Sequence, residues 1–265
     1  MTRELAVEVR KLSKTFRLPL DHGLTLQHRF VHPISTRKHR TLHAVRDISF
    51  DVPKGQFLGI TGPNGCGKST LLKMLAGIYE PDAGQILLRG VLSPFLELGV
   101  GFKPELSARD NIVLAGTMLG VRRAHVLSRL NDVLDFAELS DFDEQKLKNF
   151  SSGMVVRLAF AVAMLADADV LLMDEVLAVG DQRFQERCFD VFAHYKREGR
   201  TVILVSHDLS ALEEHCDRVL LMSQGSLAMD GRSADVISQY RRQVEAEHQA
   251  LPASDEPVAA SAMAR

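Results

Sequence analysis

The stretch Gly62-Pro63-Asn64-Gly65-Cys66-Gly67-Lys68-Ser69-Thr70 constrains this chain more than any other. It follows an apolar run from Phe57 to Ile60 and precedes a helical pattern that opens at Leu71, so strand, glycine-rich loop and helix succeed one another. A loop of this kind lets successive N–H groups curl inward at a phosphate, while the positive end of the next helix dipole faces the same charge. In the spacing GxxxxGK[ST], Lys68 pairs with the β- and γ-phosphates and the Ser69 hydroxyl holds Mg²⁺. The pattern implies a nucleoside triphosphate site at the edge of an α/β sheet.

Composition narrows the setting. A length of 265 residues suits one α/β domain with room for an insert, and a formal net charge of −2 argues against a polyanionic partner such as nucleic acid. Cys66, Cys188 and Cys216 are few and unpaired by any motif, which suits a reducing compartment. Cys66 sits inside the loop, where backbone amides and Lys68 are expected to activate its thiol toward alkylation. No apolar run approaches the roughly 20 residues of a membrane span, so any spanning would fall to a partner.

Along the chain, Leu5 to Val9 alternates as a half-buried strand and leads to Phe16, an aromatic that either packs locally or stacks on adenine. From Leu18 to Thr41 the chain turns basic, with Arg29, Arg37, Lys38 and Arg40 opposed only by Asp21. That excursion reads as a solvated loop or as a contact with an anionic membrane surface or partner. Ile48 to Val52 and Gly84 to Leu88 read as strands, Leu92 to Glu105 as broken loop, and Ser107 to about Leu119 as a helix. Phe150-Ser151-Ser152-Gly153-Met154 opens a helix whose first N–H groups offer a second phosphate site.

Two further strands carry chemistry at their carboxyl ends, the edge where open α/β sheets bind ligands. Val170 to Met173 ends in Asp174-Glu175, placing Asp174 for the Mg²⁺ shell and Glu175 to orient or deprotonate the attacking water. Thr201 to Val205 ends in Ser206-His207, which puts an imidazole on the same edge for a γ-phosphate contact. Arg218 to Met222 and Ser226 to Met229 form a hairpin about Gln224-Gly225. A polar helix runs from Ser233 to Glu247, and residues 248–265 read as a disordered tail.

Assembled in this order, the motifs resemble those of the ATP-binding subunit of ABC transporters, over roughly residues 4 to 240. Gly62 to Thr70 matches Walker A, Phe150 to Met154 the signature, Val170 to Glu175 Walker B, Ala178-Val179-Gly180-Asp181 the D-loop and His207 the switch histidine, with Phe16 where the family stacks adenine. The resemblance implies a P-loop NTPase cassette of α/β class with a RecA-like core, an antiparallel β subdomain and a helical subdomain over about 97–166, all within residues 1–247. It implies ATP and Mg²⁺ as ligands and a head-to-tail homodimer. In that pair Ser151 and Gly153 of one copy face the γ-phosphate held by Lys68 of the other, and the resemblance also makes Gly62, Pro63, Asn64, Gly65, Cys66, Gly67, Ser69, Thr70 and Asp181 nucleotide-binding residues.

Glu97 to Leu106, Arg109 to Asn111 and the basic excursion resemble the subgroup that exports O-antigen, capsule or teichoic acid. The resemblance therefore implies membrane permease partners, a lipid-linked polysaccharide as cargo, and a peripheral position on the cytoplasmic face of the inner membrane. An ABC exporter of another lipid or drug, and a soluble ABC ATPase, are the competing readings. The signature lacks its terminal amide at Met154, and no glutamine lies between Gln85 and Gln145, so Glu97 or Lys103 stands in for the family's Q-loop glutamine.

Overall fold

A long antiparallel pair opens the chain. The computed structural model describes residues 4–19, 39–95, 99, 101–174 and 181–250, and in it β1 (Leu5–Pro19) and β2 (His39–Pro53) pair from Leu5 against Pro53 to Pro19 against His39. Both strands run well past the expected Leu5–Val9 and Ile48–Val52. The ends of the supposed excursion are therefore ladder residues: Leu18 faces Arg40 and Arg17 faces Thr41. Arg29, Arg37 and Lys38 lie outside the described residues.

The chain then enters the main sheet through β3 (Phe57–Thr61), continues in helix α1 (Lys68–Leu75), and returns to β1 as β4 (Ala83–Leu88), giving a three-stranded antiparallel sheet in the order β2-β1-β4. Next comes β5 (Leu92–Phe95), where the sequence suggests only loop. Pro94 hides it, because proline cannot donate to a ladder and is tolerated only where one side needs no partner. Strand β5 is at the sheet's edge, pairing with a single neighbour.

A helical lobe follows, made of α2 (Ala108–Met118), α3 (Arg123–Ser128), α4 (Leu130–Ala137) and α5 (Ser152–Ala163), with 3-10 turns at Ser140–Phe142 and Leu147–Asn149. Ile112, Val126, Leu130, Leu134 and Leu158 bury its core. Burying each such side chain contributes about 1.5–3 kcal/mol.

The chain then re-enters the main sheet: β6 (Val170–Asp174), α6 (Gln182–Arg197), β7 (Thr201–Val205), α7 (Leu209–His215), β8 (Arg218–Ser223), β9 (Ser226–Arg232) and α8 (Ser233–Ala250). The order is β5-β6-β7-β3-β8-β9, with β5, β6, β7, β3 and β8 parallel and β9 antiparallel to β8. One apolar cluster lies between this sheet and the antiparallel one, around Leu58, Ile60, Leu71 and Leu72. The other covers the opposite face, around Phe160, Phe184, Phe192 and Leu212. Burial on both faces explains why β3 and β7 are apolar without alternation. Helix α8 continues beyond Glu247 to Ala250, and the rest of the expected tail, 251–265, is outside the described residues. No described helix is long and apolar enough to cross a membrane.

His215, at the end of α7, stacks on Phe189 with ring centroids 4.2 Å apart, and its Nε2 has no hydrogen-bond partner among the described residues. Burial pushes this imidazole below its ordinary value, with smaller opposing effects from Glu214 and Asp208 and a reinforcing one from Lys196. Because the folded value is the lower one, the unfolded chain takes up the proton first as pH falls through about 6.5, and stability is lost there. The melting temperature should fall from about pH 7.5 to about pH 5.5, and fall less in His215→Phe, as differential scanning fluorimetry would show.

Candidate nucleotide site

The loop between β3 and α1 is formed by backbone contacts on two sides. Gly62, Gly65 and Gly67 take φ of 143°, 76° and 108°. A Cβ at Gly62 would lie 2.1 Å from the Met222 carbonyl oxygen, and one at Gly67 would lie 2.1 Å from that of Ala44. Only glycine permits both approaches. The loop is thus wedged between the end of β8 and the middle of β2. The turn after β8 completes the clamp: Gly225 N donates to Cys66 O at 3.0 Å, and Arg46 N donates to Gly225 O at 2.7 Å. Sequence reasoning missed Ala44, Met222 and Gly225, since two of them act through carbonyls that every residue carries; the Gln224-Gly225 turn was the available signal.

Lys68 is 8% exposed, and its Nζ donates to Gly62 O at 2.7 Å and to Pro63 O at 3.1 Å. No carboxylate among the described residues pairs with it. A buried ammonium held only by neutral carbonyls of a glycine-rich loop fits an anionic ligand such as a polyphosphate. Pro63, Asn64, Gly65 and Ser69 are exposed and Thr70 is half-buried, as a ligand-facing loop requires. The Cys66 residue contributes through its backbone. Contrary to the expectation of a reactive thiol, its side chain is 5% exposed and belongs to the apolar core. Burial also pushes the thiols of Cys188 and Cys216 up to about 12.

The parallel register gathers the acid and the imidazole at the same edge. Asp174 aligns with Val205, and Val205 with Ile60, so Asp174 ends its strand two strand spacings, roughly 10 Å, from the strand that feeds the loop. Exposed His207 follows the intervening β7, behind Ser206, whose N–H donates to Ile60 O at 3.2 Å. Glu175 lies outside the described residues, as do Glu97 and Ala178 to Gly180. Among the described residues no group of three His, Cys, Asp or Glu could hold a metal. Ser69 and Asp174 are instead hard oxygen donors of the kind that completes a Mg²⁺ shell shared with phosphates.

Phe16 is half-buried, edge-on to Tyr79 at 5.6 Å, with Lys14 Nζ 5.7 Å from its ring centroid. It pairs with Leu42 across the ladder, two residues before the Ala44 that touches the loop. That register sets the backbone of Phe16 a short way along the ladder from the carbonyl that meets the loop.

Ser151 and Gly153 are elsewhere. Ser151 caps α5, its Oγ accepting from Met154 N at 3.2 Å, and a Cβ on Gly153 would meet only Ser151 Oγ at 3.9 Å. No hydrogen bond or ion pair among the described residues joins them to Gly62–Thr70. Asp181 is likewise apart from the loop. It caps α6 by accepting from Phe184 N at 3.0 Å and pairs with Arg157 of α5 at 2.7 Å, and these bonds, with the nearby charge of Arg183, hold its carboxyl below the usual range. Arg157 also binds Glu138 at 2.8 Å, tying the helical lobe to the start of α6.

Residues 45–178 match the family model described as ABC transporter, and the chain belongs to that family. It is 42% identical, over 76% of its length, to an O-antigen export system ATP-binding protein, RfbB, of Myxococcus xanthus, and spans only 46% of that relative. It is 33% identical to a teichoic acids export ATP-binding protein, TagH, of Listeria monocytogenes, covering 91% of this chain and 71% of the relative. The fold matches the dimeric ADP- and phosphate-bound ATP-binding cassette MJ0796, with a TM-score of 0.67 at 20% identity over 86% of this chain and 98% of that one. The expected P-loop cassette of three parts is borne out.

Gly67→Ala should abolish binding of a fluorescent ATP analogue, since its Cβ meets a backbone oxygen. Gly65→Ala has nothing within 4 Å and should lose only about tenfold, for the 1–2 kcal/mol of left-handed strain. Maleimide should label the native protein slowly at all three cysteines and rapidly after denaturation; fast native labelling lost in Cys66→Ser would show an exposed loop thiol.

Proposed function

We propose that this chain is the ATP-hydrolysing subunit of an exporter of lipid-linked polysaccharide, of the O-antigen, capsule or teichoic acid type. Two copies work as a head-to-tail pair on membrane permease subunits at the cytoplasmic face of the inner membrane. The observation that carries the reading is the division of the phosphate-binding groups. Lys68 and its loop are in the core, while the Ser151 cap and open Gly153 belong to the helical lobe, and no hydrogen bond or ion pair among the described residues joins them. Each copy thus offers two half-sites, and a second copy completes them. The names borne by the relatives support the cargo and the permease partners.

In this reading Phe16 stacks on adenine, the loop amides and Lys68 hold the β- and γ-phosphates, and Ser151 and Gly153 of the other copy meet the γ-phosphate through N–H groups of a helix N-terminus. Ser69 and Asp174 would hold Mg²⁺, which would supply neutralisation of charge on the phosphate oxygens. Glu175 takes the proton of the attacking water, and His207 stabilises the transferred group. Lys68 is already oriented by two carbonyls and needs only to exchange them for phosphate oxygens. Closing the pair on ATP and reopening it after hydrolysis moves the helical lobes, and with them the permease.

Glu175→Gln keeps the shape of the side chain and removes the base. With Mg-ATP the variant should run as a dimer on size-exclusion chromatography while hydrolysing at least about a hundredfold more slowly. A wild-type rate would remove Glu175 from the role, and a monomer under saturating ATP would remove the paired site.

A further inference from the structure

The reading above gives Asn111 no role, yet it is the most completely engaged polar side chain of the helical lobe. It lies on the first turn of α2 and is 0% exposed. Its Oδ1 accepts from Lys103 N at 2.6 Å, and its Nδ2 donates to the carbonyls of Lys103 at 3.0 Å, Leu106 at 3.2 Å and Ser107 at 2.8 Å. A buried amide needs its donors and acceptor satisfied, and one that satisfies them all on neighbouring backbone fixes that backbone. Here the fixed backbone is the loop Lys103–Leu106, whose side chains are exposed.

That loop is fixed on its other side as well. Lys148 N donates to Pro104 O at 2.9 Å, Leu147 N to Leu106 O at 3.1 Å, Ala108 N to Gln145 O at 3.0 Å and Arg109 N to Asp143 O at 2.9 Å, while Ser107 bridges Lys146. Residues 104–109 and 143–148 therefore form an antiparallel strip. Ion pairs from Lys146 and Lys148 to Glu105, and from Arg109 to Asp143, reinforce it at the surface. The second strand of the strip runs through the 3-10 turn Leu147–Asn149 directly into Phe150 and the Ser151 cap.

We propose that Asn111 is a positioning residue for hydrolysis. By holding Lys103–Leu106 against α2 it sets the strip 104–109/143–148 and, through it, the place of Ser151, so that loop and cap move as one body. The inference rests on the reading that Ser151 meets the nucleotide of a second copy. Its consequence is a division of effects: first binding of nucleotide, made by the core loop, is independent of Asn111, whereas completion of the paired site depends on it. The exposed loop Lys103–Leu106 is also where a push from a partner would reach Ser151 most directly.

Asn111→Leu keeps the branching and heavy-atom count of the side chain and removes every bond. Expected in the full-length variant are unchanged affinity for a fluorescent ATP analogue, a kcat lowered about ten- to a hundredfold by the misplaced cap, and little change in KM. Amide hydrogen exchange should accelerate in residues 101–108 and 145–150 together, with α1 still protected. Should Asn111→Leu fail to fold, Asn111→Asp serves: the carboxylate faces three carbonyls when charged, so its kcat should recover as pH falls and the group protonates. Faster exchange confined to 101–108, or unchanged kcat in a folded variant, would overturn the proposal. Absence of turnover in the wild type would refute the ATPase reading instead, and the exchange arm would still test the strip.

Discussion

Two carbonyl oxygens, of Ala44 and Met222, stand where side chains at Gly67 and Gly62 would otherwise go, and the phosphate loop has its shape because of that contact. Met222 ends a strand of the parallel sheet and Ala44 lies in the antiparallel one. The loop is therefore a seam between two sheets, and its shape depends on the placement of both. The packing that places them is the cluster around Leu58, Ile60, Leu71 and Leu72. The apolar sandwich sets the distance between the sheets, and that distance sets the shape of the loop.

Elsewhere the fold uses polar devices to fix moving parts. Arg157 joins Glu138 at the end of α4 to Asp181 at the start of α6, and lies 5.4 Å from the Phe184 ring centroid. Both partners are substantially exposed, so the pair contributes little stability of its own. Its use is geometric, because it ties α5 to the end of α4 and the start of α6. Asn111 fixes the loop Lys103–Leu106 through neutral bonds, and the strip that pairs with that loop leads into the same helix. The cap Ser151 is thus anchored to two elements and to the nucleotide loop by neither.

Legibility in the sequence followed chemistry that only particular residues can supply. The glycine turn between strand and helix, the place of Asp174 at a strand end and the strands at Phe57, Val170 and Thr201 were readable because glycine-rich turns and unbroken apolar runs each have few alternatives. Strand β5 was hidden by an edge proline, and the length of β1 and β2 by mixed polarity. Helix α6 buries Phe184, Cys188, Phe192 and Tyr195 at helical spacing, a signal present but overlooked beside the motif that precedes it. The carbonyl clamp could not be read at all, since Ala44 and Met222 contribute what any residue has. Asn111 was visible as a letter, but its buried bonds depend on a loop conformation that no local pattern specifies.

The central claim is that each copy holds two halves of different sites. Mixing tests it directly: Lys68→Ala and Ser151→Ala chains, each inactive alone, are combined and ATP hydrolysis is measured against total protein. Mixed pairs contain one site with both the lysine and the serine intact, so turnover should reappear on mixing and follow the product of the two concentrations. If the mixture stays as inactive as its components while both variants bind nucleotide and associate, the lysine and the serine do not serve a shared site.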